Sequence, residues 1–226
     1  MPQAILFDLH GTLTDTTQAD TAAVAAIRTI MTKAGVRVSD TSILAAEQFA
    51  VDAFAPNLWE SVIFKLANRD PALAFKCVTE FRKTPPQKIV FRPGVVELLK
   101  KCKEYGWKTA LMNRLSEDTV AQLARAQIMP LIDVQGLPTM AKIELPDMRA
   151  FEFVLGNLGC EPRECILVGT RLDIVVRAGN DLRMKTILLR MGKHGQRQQP
   201  RDLQDLPGNE VNTFAELGLT LETLRG

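Results

Sequence analysis

Asp8 stands at the end of a short apolar run, Ala4–Phe7, and is followed by Gly11 and Thr12. A carboxylate delivered this way sits where open α/β sheets bind ligands, at the carboxyl ends of their strands, loaded as a nucleophile. Gly11 permits a sharp turn, and the amides after the strand would point toward an anion docked against Asp8. The same letters also end ordinary strands in an Asx turn, so D-x-x-G-T alone leaves both readings open.

Positioning such a residue takes a sheet. Apolar runs at Ala4–Phe7, Thr109–Met112, Cys165–Val168 and Thr186–Leu189 have the length and Ile/Leu/Val content of strands buried on both faces. Helix-length segments at Val95–Tyr105, Asp118–Ala126 and Met148–Leu158 lie between the later runs; the first stops at Gly106 and the last at Gly159. This alternation predicts an α/β fold with a Rossmann-like parallel sheet and right-handed crossovers. Residues 16–88 break the rhythm. Thr16–Ala34, Ser42–Phe54, Asn57–Ala67 and Pro71–Arg82 read as helices with no strand between them, then Pro85 and Pro86 punctuate the return. The expected organisation is a core formed by residues 1–15 and 89–226 and an all-helical insertion at 16–88. Trp59, Phe49, Phe54 and Phe64 are expected in the insertion's own core or against the sheet domain.

Composition narrows the partners. Lys and Arg number 28 against 26 Asp and Glu, and a net charge of +2 supplies no field to draw in nucleic acid or an anionic membrane. No apolar run reaches membrane-spanning length, and the first strand begins almost at Met1 without a leader before it. Cys77, Cys102, Cys160 and Cys165 show no paired ligand spacing and read as reduced, mostly buried thiols. The expectation is a cytoplasmic protein. Arg190–Arg201 concentrates cations without an acid, and its Gly, Gln and Pro content predicts a solvated loop.

Asp8–Leu9–His10–Gly11–Thr12–Leu13–Thr14–Asp15 resembles the first motif of the haloacid dehalogenase superfamily, D-x-D-G-T-L-x-D, and the helical insertion after it resembles that family's cap domain. Arg92–Val95 through Trp107–Met112 is similar to the helix and second strand, Leu145–Phe151 to the third motif, and Val168–Thr170 with Ala178–Gly179 and Met184–Ile187 to the fourth. Phe214–Leu217 is similar to the closing helix, so the resemblance runs nearly end to end. It implies a phosphoryl-transfer site. The first aspartate attacks phosphorus, the second protonates the leaving oxygen, a Ser/Thr and a Lys neutralise the phosphoryl group, and magnesium is held by the first carboxylate, a backbone carbonyl and fourth-motif acids.

Carried over residue by residue, Asp8 is the nucleophile and His10 stands at the acid–base position, where an imidazole could move a proton. Thr12, Asn113 and Arg114 are candidate anion-binding residues; Asn113 could donate an amide and Arg114 a guanidinium. Leu145 occupies the lysine position, and Lys142 is the cation that could reach in instead. The metal set would be Asp8, the carbonyl of His10 and Asp173, with Thr170 where the fourth-motif acid belongs, which counts against magnesium. Asp173 could instead cap a helix. Losing one preorganised stabiliser costs ~2.7–4 kcal/mol, or about 10²–10³ in rate, and losing the acid–base group a further factor of roughly 10²–10⁴. The leading expectation is therefore a member with little magnesium-dependent phosphatase activity, acting as an anion-binding or interaction module. A hydrolase with a rewired site built on Asp8, His10, Asn113 and Arg114 is the second expectation. The third is a dehalogenase-like enzyme, since such relatives also replace the second aspartate and work without metal. The ligand expected is a small anion in the core/cap crevice, or a protein partner at the surface.

Overall fold

The computed structural model describes residues 1–137, 143 and 145–225. The chain divides into two compact units, Met1–Asp15 with Ile89–Gly226, and Thr16–Lys88.

The first unit is built on β1 (Ala4–Phe7), which continues into a short β2 (Thr14–Asp15) after a turn. β1 lies between β4 and β5 in a five-stranded parallel sheet of order β4-β1-β5-β6-β7; the other strands are β4 (Lys108–Leu111), β5 (Cys165–Gly169), β6 (Lys185–Leu189) and β7 (Asn209–Val211). All four residues of β1 are buried because both faces of the sheet are covered. Side chains alternate across the sheet, so Ile5 and Phe7 join Ile166, Val168 and Ile187 in one core, while Ala4 and Leu6 join Ala110, Leu167 and Phe151 in the other. Register pairs Phe7 with Leu111 on one side and Val168 on the other, so the residues after all three strands emerge at one edge.

The helices of this unit are α5 (Val95–Glu104), α6 (Glu117–Arg125), α7 (Met148–Leu158), α8 (Arg177–Asp181), α9 (Gly192–Arg197) and α10 (Phe214–Leu224). Ser116, Asp147 and Thr213 cap the N-termini of α6, α7 and α10 through their side chains. Gly159 closes α7 in the left-handed conformation, at φ +63°.

Several features of this unit depart from the sequence reading. β7, sequence Asn-Glu-Val, is an edge strand with too little apolar content to show as one. β2 pairs antiparallel with a two-residue β3 (Val90–Phe91). Arg190–Arg201 is not a solvated loop: α9 forms inside it, Gln198 is 1% exposed, and the Arg190 guanidinium donates to the carbonyls of Gly195 (3.1 Å) and Gln198 (2.7 Å). Tertiary packing overrides Gly192 and Gly195, the poor helix formers within α9.

The second unit is wholly helical: α1 (Thr17–Lys33), α2 (Asp40–Asp52), α3 (Leu58–Leu66) and α4 (Pro71–Phe81). Ser39, Asn57 and Asp70 cap α2, α3 and α4, the last with Pro71 at its first position. Ile27, Met31, Ala50, Val62, Ile63 and Cys77 form its core, with Trp59 packed against it. Phe49 and Phe64, expected inside, are each 44% exposed, and the Lys65 ammonium lies 4.3 Å from the Phe49 ring centroid. Cys77, Cys102 and Cys165 are buried free thiols and Cys160 is half-buried. Among the described residues no helix is long and apolar enough to cross a membrane.

The segment after α9 is tied down by Asp205, fully buried, which accepts from Arg201 N (3.0 Å), Arg201 Nε (2.8 Å) and Arg177 Nε (2.9 Å). Burial alone would raise its pKa, but these donors outweigh it and hold the carboxyl at about 2. A depressed native pKa stabilises above the unfolded value and is lost as the group protonates. Asp205→Asn is expected to cost ~1.5–3 kcal/mol near neutral pH. In urea melts the deficit should shrink as pH falls from 3.8 through about 2; a deficit constant over that range would refute the account.

Candidate functional site

Asp8 leaves β1 in extended conformation, its amide donating to the Val168 carbonyl at 3.0 Å, so β5 guides the chain into the turn. The turn Leu9–Leu13 reverses at Gly11, φ +78°, a conformation that disfavours a side chain. Two groups hold its shape. Thr14 Oγ1 accepts from Gly11 N at 3.1 Å and lies 3.3 Å from the Leu9 carbonyl; the buried Arg92 donates to the carbonyls of Gly11 (2.8 Å) and Thr12 (3.1 Å).

The Asp8 carboxylate is 6% exposed. Asn113 Nδ2 donates to its Oδ1 at 2.9 Å, and Asn113 Oδ1 accepts from Leu9 N at 2.6 Å, so one side chain binds both the carboxylate and the backbone beyond it. Asn113 is itself fixed at Gly136, φ +85°, where a Cβ would fall 2.1 Å from the Asn113 carbonyl oxygen; that oxygen accepts from Leu137 N at 3.1 Å. On the other side of β1, Gly169 presses close: a Cβ there would lie 3.2 Å from Asp8 Cβ. Burial raises the Asp8 pKa above the ordinary carboxylate value, opposed by the Asn113 hydrogen bond, then by the charges of His10 and Arg171 and by the Leu9 amide.

The structure brings Asp8, His10 and Asn113 together. His10 is exposed, and its charge acts on Asp8. Thr12 is fully buried and its Oγ1 has no hydrogen-bond partner. Arg114 is exposed, with its backbone bridged to Leu137. Lys142 lies outside the described residues.

Asp173 departs from expectation twice. It caps no helix, and it is not presented with Asp8 as a metal ligand: Arg171 Nε (3.0 Å) and Nη2 (2.6 Å) donate to its two oxygens. An arginine two residues away satisfies both lone-pair faces in a bidentate fork. The sequence reading missed Arg171, which is 9% exposed; its only signal was a cation directly after the small Thr170 at a strand end. It also missed His194 and Gln198. Gln198 Oε1 accepts from Leu172 N at 2.9 Å and its Nε2 lies 3.4 Å from His194 Nδ1, so α9 buttresses the segment carrying Arg171. Burial first, then the Arg171 charge, lowers His194 to about 4, a neutral imidazole under ordinary conditions.

Among the described residues, no group of three His, Cys, Asp or Glu converges as a metal site. Magnesium favours carboxylate oxygens and retained waters. Here Asp8 Oδ1 receives the Asn113 amide, both Asp173 oxygens receive Arg171, and Thr170, neutral, packs 3.2 Å from where a Gly11 Cβ would stand. The described donor set does not fit a magnesium ion.

Comparison with known proteins adds the following. A family model described as haloacid dehalogenase-like hydrolase matches residues 2–181. The glyceraldehyde 3-phosphate phosphatase of Methanopyrus kandleri is 28% identical over 225 residues, covering 96% of each chain. Among solved structures, a predicted phosphatase from Clostridium acetobutylicum superposes with TM-score 0.69 at 18% identity over 99% of each chain. The putative HAD-hydrolase YfnB from Bacillus subtilis, bound to magnesium, superposes with TM-score 0.61 at 14% identity over 98% of this chain and 99% of that one. At these identities the two structures speak for the fold.

An acid whose native pKa is raised contributes stability only below its unfolded value and loses it as pH rises through the native one. Asp8→Asn keeps the oxygen that Asn113 binds and removes the buried charge. The variant is expected to melt above the wild type at pH 7, by about 2–4 °C for each kcal/mol gained. Its advantage should vanish below pH 3.8. Calorimetry showing no gain at pH 7 would refute the buried-charge account.

Proposed function

Because the chain belongs to the haloacid dehalogenase-like hydrolase family, we propose that it hydrolyses small phosphomonoesters slowly, with Asp8 as nucleophile. The observation that carries this reading is the clamp of Asn113 on Asp8 and Leu9: it fixes one carboxylate oxygen and orients the other for attack. An Asp8 oxygen bonds to phosphorus as the ester oxygen departs, taking a proton from His10 or water. Water then cleaves the acyl-phosphate, releasing phosphate and restoring Asp8. The name of the Methanopyrus kandleri relative supports a short phosphorylated carbon chain as the substrate class. Slowness follows from the neutral Thr170 and the aliphatic Leu145, each standing where a charged group would stabilise the transition state.

A second reading, an anion-binding module without turnover, is favoured by one observation. His10, the candidate proton donor, is exposed rather than buried beside Asp8. Assay of p-nitrophenyl phosphate and acetyl phosphate separates the two. Slow release of phosphate, reduced at least a hundredfold in Asp8→Asn, is expected. Turnover equal in Asp8→Asn refutes the nucleophile; phosphate binding with no turnover establishes the module instead. Chloride release from 2-chloropropionate without phosphate release would redirect the reading to a dehalogenase.

A further inference from the structure

A phosphate ester entering beside Asp8 brings two negative charges toward a third, and a site for it must supply positive charge. The described residues do not fit a divalent ion, yet they place a cation at the same edge of the sheet. Arg171 follows Gly169 and Thr170 at the end of β5; Gly169 lies against Asp8 and Thr170 against Gly11. Arg171 is 9% exposed, and Asp173 fixes its guanidinium through two hydrogen bonds. Its backbone is held as well: Val175 N donates to the Arg171 carbonyl at 3.0 Å, and the next residue, Leu172, donates to the buried Gln198.

We propose that Arg171, held by Asp173, is the built-in cation of the Asp8 crevice and takes the electrostatic place of the family's divalent ion, so that phosphoryl groups bind here without metal. The proposal rests on the reading of the Asp8 crevice as a phosphate-ester site. Two substitutions work together in it. Thr170 removes a carboxylate that a dication would have to offset, and Arg171 supplies a guanidinium, shared with Asp173, whose charge cannot be deprotonated or chelated away. A planar guanidinium also matches phosphoryl geometry better than a point charge does. The charge that Arg171 exerts on Asp8 is consistent with this placement.

The test is calorimetric titration of the full chain with inorganic phosphate, in EDTA and in excess Mg²⁺, with Mg²⁺ alone as a further titrant. Phosphate affinity is expected to agree within about twofold between EDTA and Mg²⁺, and Mg²⁺ alone to give no binding heat. Arg171→Gln should weaken phosphate by about ten- to a hundredfold, the worth of a charged hydrogen bond. Arg171→Lys, keeping charge but not the fork, should fall between the two. Wild-type affinity in Arg171→Gln overturns the proposal. Affinity that drops tenfold in EDTA and returns with Mg²⁺ also overturns it, and that comparison needs no variant to fold. Phosphate binding that depends on Arg171 sustains it even if Asp8 proves not to turn substrate over. Absence of phosphate binding in either condition defeats both this proposal and the phosphomonoesterase reading.

Discussion

A carboxylate buried at the end of β1, an interior strand of the sheet, is the constraint around which the first unit is arranged. Asp8 is 6% exposed in a sheet covered on both faces, where an ionised group without compensation costs several kcal/mol. Each neighbour reduces part of that cost. Asn113 donates an amide from the end of β4, the Leu9 amide adds a backbone dipole, and Arg171 brings positive charge from beyond β5. These contributions come from three adjacent strands, because β1 lies between β4 and β5 and is in register with both. The parallel sheet is thus part of the electrostatics: shift β4 or β5 by one residue and the side chain facing Asp8 points to the other face.

Compensation also has to be rigid, and the chain achieves this with backbone contacts. The Asn113 carbonyl is wedged against Gly136, while Arg92 grips the turn through two carbonyls. The fit on the Arg171 side is equally close. Gly169 has Val175 Cγ2 at 2.3 Å and Asp8 Cβ at 3.2 Å from where its own Cβ would stand. A side chain at 169 would push the Arg171 segment away from Asp8, which makes this glycine as much part of the site as the charged residues.

What could be read from the sequence and what could not divides by the range of the interaction. Asp8 was visible because an apolar run and a glycine turn are adjacent in the chain, and Asn113 because the family resemblance aligns the strand before it with the second motif. The helices of the insertion announced themselves through local signals such as Pro71 and the cap at Asn57. Arg171 was invisible for the opposite reason: its significance is its placement near Asp8, which comes from the pairing of β5 with β1, and no local pattern encodes that. The same holds for α9, whose residues read as a loop until Gln198 is seen buried against Leu172 N. Asp173 misled because a carboxylate near a strand end reads equally as a metal ligand, a cap or half of an ion pair; only the position of the Arg171 guanidinium decides.

A fixed guanidinium and an exchangeable dication solve the same charge problem with different consequences. A metal adds Lewis acidity and a coordination geometry that tightens as charge develops, so it favours the transition state over the bound ester. A guanidinium clamped by a carboxylate is already satisfied in the ground state, and its pull on the phosphoryl group changes less along the reaction. On the proposed reading, the exposed His10, the neutral Thr170 and the aliphatic Leu145 leave the transition state with fewer stabilising groups than a metal-assisted site supplies, and the buried Asp8 would be the element through which a covalent step proceeds.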